Sequence, residues 1–220
     1  IQTAAVNPEA RTPKFKTEVM GELIRFVSAH EVGHTIGLPH NMGSSPAYTV
    51  KQLRTPGFVQ KNGTAPSIMD YARFNYVAQP EDKGVGLHPK IGPYDFHSIE
   101  YGYKPIPSAK SWEAEKPMLN AMIKAKADDP KYRFGAQSRS GIDASAQTED
   151  LSNDAVEASE LGIKNLKRII PKINEWMAED GQYFENHEEV YNNVISQLRR
   201  YTGHVASNVG AVTEWQRSAD

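Results

Sequence analysis

Cysteine is missing altogether from the 220 residues, so neither a disulfide framework nor a thiolate zinc finger can organise this chain. That absence suits cytosol and a disulfide-free exported protein equally and leaves the compartment open. An excess of one charge is missing too. The 25 basic and 27 acidic side chains give a formal net charge of −2, and the basic ones are scattered among acids. This removes the electrostatic footprint of a nucleic-acid binder. No apolar run nears the roughly 20 residues that cross a bilayer, and no leader-like segment opens the sequence. What remains is the composition of an ordinary globule, long enough for one compact domain or two small ones.

What is present is concentrated in one stretch, His30-Glu31-Val32-Gly33-His34-Thr35-Ile36-Gly37-Leu38-Pro39-His40-Asn41, which fits HExxHxxGxxH at every fixed position. On a helix, residues four apart share a face about 6 Å apart, so His30 and His34 can direct imidazoles at one ion. Glu31 is rotated by roughly 100° from them, better placed to hold a water than to bind the metal. It therefore reads as a general base. A continuing helix would carry His40 about 9 Å further along and roughly 240° around from His34. The helix must stop first. Gly37 can take the positive φ of a helix-ending residue, and Pro39 discourages a restart, so the chain can fold back to bring in His40. Three neutral histidines with one open position predict a catalytic zinc site, one ion per chain. A bare HExxH would arise by accident in roughly one such chain in a hundred, and Gly37 and His40 lower that by about three further orders of magnitude.

Downstream, Ser67-Ile68-Met69-Asp70-Tyr71 resembles the methionine turn of metzincin zinc proteases, and with the histidine motif it identifies the chain as similar to that clan. The resemblance implies that Met69 forms an apolar floor under the imidazoles. It also implies that Tyr71, as in astacins and serralysins, ligates zinc at rest or donates a hydrogen bond to the reacting oxyanion. Ile91 to Tyr103 resembles the last catalytic-domain helix of matrix-type metzincins, where Asp95 would anchor the methionine turn. An acid in a helix's first turn is favoured by the dipole in any case. Asn41 departs from the glutamate of astacins, the proline of serralysins and the aspartate of adamalysins. The interval from His40 to Met69, the run Met69 to Tyr76 and the run Glu160 to Lys167 look most like a group of large, uncharacterised bacterial zinc-dependent metalloproteases. That likeness implies a secreted or envelope-associated location.

Metzincins carry a sheet upstream of the zinc helix, whose edge strand binds extended peptides. Here only a short polar lead with Pro8 and Pro13 precedes it. The expectation is therefore a mainly α, metzincin-like catalytic fragment lacking the N-terminal sheet and followed by a helical bundle. An upstream part of the parent chain would complete the fold, and an uncovered apolar helix face would favour self-association.

Helical spacing predicts the zinc helix from Thr17, as N-cap, to Ile36. A loop with one short helix near Thr49 to Leu53 then leads to the methionine turn, and a helix from Pro93 to Tyr101 follows. Arg73, Phe74 and Tyr76 are candidates for a substrate pocket, with packing the plainer use of each. Residues 1–104 are read as the zinc-binding catalytic segment and 105–220 as a helical region with a mobile linker near 135–150. Apolar stripes through Met118, Leu119, Met122 and Ile123, through Ile173, Trp176 and Met177, and through Phe184, Tyr191, Val194, Ile195, Leu198 and Tyr201 predict bundle core. His88, His97, His187 and His204 lack metal spacing and read as structural.

The function so predicted is a zinc metalloendopeptidase acting on peptide or protein substrates, with His30, His34 and His40 as ligands, Glu31 and Tyr71 as catalytic groups, and Gly37 and Met69 as structural supports. The substrate-binding residues are not named by the sequence. The alternative is a zinc-binding or scaffolding module with little hydrolytic activity of its own.

Overall fold

The computed structural model describes residues 1–137, 143–181 and 183–214, and these form helices and connecting loops with no β-strand among the described residues. Helix α1 (Thr17–Thr35) begins at the residue expected to cap it, one position earlier than the sequence pattern places its first turn. Lys16 holds the extended N-cap position and accepts the first helical bond from Met20 N, so Thr17 is already inside. Only His30 and Gly33 of α1 are buried, and Ile24, Val27 and Val32 are more than half exposed.

The end of α1 follows the glycine logic closely. Gly37 has φ +87°, its N–H reaches the His34 carbonyl at 3.0 Å, and Leu38 N reaches the Gly33 carbonyl at 3.0 Å. This pair of bonds is a Schellman stop, and it turns the chain toward His40.

Between the histidines and the methionine turn lie α2 (Val50–Leu53) and α3 (Phe58–Asn62). Thr49 and Gln52 cap α2 reciprocally, as the expected short helix requires. The additional helix α3 was not foreseen. It is a single turn bounded by Gly57 at φ +78° and Gly63 at φ +73°, too short to show periodicity. Next comes α4 (Pro93–Tyr103), followed by α5 (Trp112–Lys124). No residue of α5 is buried, which corrects the reading of its stripe as bundle core: helical spacing reports an apolar face, not a partner to cover it.

The core joins Tyr48, Val50, Leu53, Val59, Ala72, Tyr76 and Val77 to Leu151 and to three later helices, α6 (Ala155–Ile169), α7 (Ile173–Met177) and α8 (Glu185–Ala206). Asp154 caps α6 by accepting from Glu157 N, and a 3₁₀ turn through Pro171 redirects the chain into α7. Ile173, Met177, Val194 and Tyr201 of the expected stripes are buried, together with Leu166 and Ile169 of α6, whereas Phe184, Tyr191 and Leu198 stay on the surface. Tyr76 is core rather than pocket wall. Its ring lies 4.6 Å from that of Tyr201, and its hydroxyl accepts from Leu151 N. Ala4 and Ala5 of the N-terminal lead are also buried in this core. Of the expected linker, residues 138–142 lie outside the described residues. On its flanks Gly135 N and Arg133 O bond to Asn41, and Ala146 and Asp150 are buried.

Candidate metal centre

Three elements converge on one point. Helix α1 supplies His30 and His34, the reversed chain after the Schellman stop supplies His40, and one ligand atom from each lies within 4.8 Å of the others. Each imidazole is oriented through Nδ1. His30 Nδ1 meets the Ile68 carbonyl at 2.8 Å, His34 Nδ1 the Leu38 carbonyl at 2.9 Å, and His40 Nδ1 the Gln137 Oε1 at 2.9 Å. All three partners are acceptors, so each Nδ1 carries the proton and each Nε2 keeps a lone pair.

Those lone pairs are left with no hydrogen to take. His30 Nε2 is buried without a partner, and His34 Nε2 faces His40 Nε2 at 3.0 Å. Two lone pairs so close repel unless a cation lies between them, and three neutral imidazole nitrogens suit zinc and its transition-metal neighbours. The donor set therefore fits a metal ion. Burial holds the His30 imidazole below its ordinary pKa, which keeps it neutral for ligation.

The methionine turn contacts α1 at Gly33 and at the first histidine. Met69 is fully buried and packs against Gly33, where a β-carbon would collide with its thioether. The turn is fastened to α4 by Asp95. Ser67 Oγ donates to one carboxylate oxygen at 2.6 Å, while Ile68 N and Gly92 N donate to the other at 2.8 and 2.7 Å. Burial pushes the Asp95 carboxyl above its ordinary pKa, against the opposing pull of those donors. Ile68 thus donates its N–H to Asp95 and accepts from His30 on its carbonyl, linking α4 to the first histidine in two bonds.

Tyr71 follows the turn with its ring stacked on His30 at 4.9 Å between centroids and 4.6 Å from His40. Glu31 faces the same side. It lines a cavity of about 400 Å³ together with Leu23, Phe26, Val27, His30, Tyr71, Arg73 and Phe74. Arg73 and Phe74 are thus at the site while Tyr76 is not. Phe26 and Phe74 meet edge to face at 6.2 Å, giving the cavity an aromatic wall. Arg73 Nε contacts one oxygen of Glu149 at 3.0 Å and Arg200 Nε the other at 3.2 Å.

Asn41 and Gln137 were not read from the sequence as working parts. Asn41 is fully buried, and its N–H donates to the Met69 carbonyl at 3.1 Å. Its side chain donates to the Arg133 carbonyl at 2.9 Å and accepts from Gly135 N at 2.8 Å. The unusual residue after His40 was the only hint available. The other four histidines join no metal-type cluster among the described residues. His204 is buried and pairs with the Thr148 carbonyl, and His88 and His97 pack edge-on against Phe74 and Tyr132.

No curated protein and no solved structure matches the chain. A family described as Met-zincin matches residues 12–220, nearly the whole length. With a three-histidine cluster whose first member bonds to a buried methionine turn, the chain belongs to this Met-zincin family.

Proposed function

We propose that the protein is a zinc-dependent metalloendopeptidase. The observation that carries this reading is the set of three imidazoles whose Nδ1 atoms are all engaged by acceptors and whose ligand atoms lie within 4.8 Å of one another, with Glu31 lining the same cavity as His30. Zinc held by His30, His34 and His40 would supply Lewis acidity that polarises the scissile carbonyl and makes water a nucleophile near neutral pH.

Glu31 takes a proton from the attacking water onto its carboxylate and returns it to the leaving amine. The Tyr71 hydroxyl donates to the oxygen on which negative charge develops, with its ring held by the stack on His30. Leu23, Phe26, Val27 and Phe74 form the apolar walls that receive a substrate side chain next to the scissile bond. The likeness to large bacterial zinc-dependent metalloproteases, and the exported location it implies, belong to the same reading.

The test is metal content and peptide-library cleavage, with and without a chelator, on wild type and on Glu31→Gln. The expected outcome is about one zinc per chain in both proteins, with turnover abolished by the chelator and lowered about 10²–10⁴-fold by the substitution. Zinc-loaded wild type that cleaves nothing would favour the scaffolding alternative, and turnover surviving in the zinc-loaded variant would remove Glu31 from the role of base.

A further inference from the structure

His40 differs from the other two histidines in what holds it. His30 and His34 stand on a regular helix and pair with backbone carbonyls. His40 lies beyond the helix end, and its Nδ1 partner is a side chain 97 residues further along the sequence. An imidazole outside a helix has its ring rotation and tautomer set mainly by such a partner.

The segment carrying that partner is tied to the residues that follow His40. Asn41 bonds the Arg133 carbonyl and Gly135 N, and Gly43 N donates to the Gly135 carbonyl at 3.1 Å. The two segments approach so closely that a β-carbon on either glycine would lie 2.8 Å from the backbone of the other. Residues 41–43 thus clamp the backbone of 133–135, which carries Gln137 back to His40 and closes a small ring of contacts around the third histidine.

We propose that Gln137 is a positioning residue for the metal centre: its Oε1 accepts the His40 Nδ1 proton and so holds the His40 Nε2 lone pair toward the ion. This rests on the metal-binding reading above. It adds that the helical half of the chain takes part in the metal site through a single acceptor. Partners of this kind typically alter metal affinity by about 10–100-fold.

The experiment is chelator competition for Zn²⁺, with the visible spectrum of the Co²⁺-substituted protein as a second readout, on wild type, Gln137→Ala, Gln137→Glu and Gln137→Lys. Gln137 is exposed, so the metal-free proteins should melt at the same temperature. The expected result is an affinity about 10–100-fold lower for Gln137→Ala with an altered Co²⁺ spectrum. Gln137→Glu, which keeps an acceptor, should recover affinity and spectrum, and Gln137→Lys, a donor only, should not. Wild-type affinity in Gln137→Ala, or rescue by lysine rather than glutamate, would overturn the proposal while leaving the metal site standing. A wild type that binds neither ion would instead remove the metal-binding reading, and this inference with it.

Discussion

The α-carbon of Gly33 faces the thioether of Met69 with no room for a β-carbon between them. A mid-helix glycine normally costs up to about 1 kcal/mol relative to alanine, so Gly33→Ala would stabilise an isolated α1. Here the clash decides the sign, because overpacking a buried contact costs about 1–3 kcal/mol. We expect Gly33→Ala to lower stability by about 1–2 kcal/mol net and to weaken metal binding by displacing Met69. Thermal melts and chelator competition check this, and an unchanged or raised melting temperature would show that Met69 yields freely.

Gly37→Ala tests the helix stop. A left-handed φ costs an L-residue about 1–2 kcal/mol, so the variant should lose that much stability or unwind the stop. Unwinding moves the Leu38 carbonyl off His34 Nδ1 and should reduce metal affinity. Gly37→Asn, which tolerates this conformation better, should lose less of both. Equal effects of the two substitutions would contradict the positive-φ explanation.

Asp70 and Asp150 give the fold a pH dependence independent of the histidines. Both are buried and meet at Ser45, whose N–H donates to Asp70 at 2.6 Å and whose hydroxyl donates to Asp150 at 3.0 Å. Burial pushes the Asp150 carboxyl up to about 7, and burial with the neighbouring Asp150 raises Asp70 as well. A carboxyl with a raised folded-state pKa binds its proton more tightly when folded. Its contribution is therefore fully present below the unfolded value near 3.9 and is lost as pH rises toward about 7. Asp150→Asn, which keeps an acceptor for Ser45, should be more stable than wild type by about 1–3 kcal/mol at pH 8 and should converge with it below about pH 4. Denaturant melts across pH would detect the effect, and parallel curves would rule it out.

Arg73 predicts a substrate preference. It lines the cavity beside Glu31, and it shares Glu149 with Arg200, so one carboxylate faces two guanidiniums and positive charge is left over. Peptides with an acidic side chain beside the scissile bond should be cleaved in preference to those with lysine there. Arg73→Gln should erase about tenfold of that preference, equivalent to about 1.4 kcal/mol. Competition between paired peptides measures it, and a ratio unmoved by the substitution would place the charge outside the binding path.

The sequence made the first two histidines, the glycine stop and the methionine turn legible because each obeys a local rule: helical period, positive φ, a short turn motif. Asp95 was half legible, since its capping position is local but its bonds to Ser67 and Ile68 are not. The roles of Asn41 and Gln137 were not legible for a related reason. Their partners lie more than 90 residues away, and nothing in a linear pattern pairs an amide with a particular distant carbonyl or imidazole. The α5 stripe misled in the opposite direction, because an amphipathic period records that a face is apolar without recording what meets it.

The three imidazoles find their Nδ1 partners at sequence separations of 4, 38 and 97 residues, for His34, His30 and His40 in turn. Loop-closure entropy grows with that separation, so the expected order of assembly is His34 with its helix, His30 when the methionine turn docks, and His40 last. A chain still folding would then hold His40 less firmly than the other two histidines. Pulse-labelled hydrogen exchange during refolding would read the order as late protection around Gly135. Full metal affinity would then wait until the segment around Gln137 has reached the third histidine.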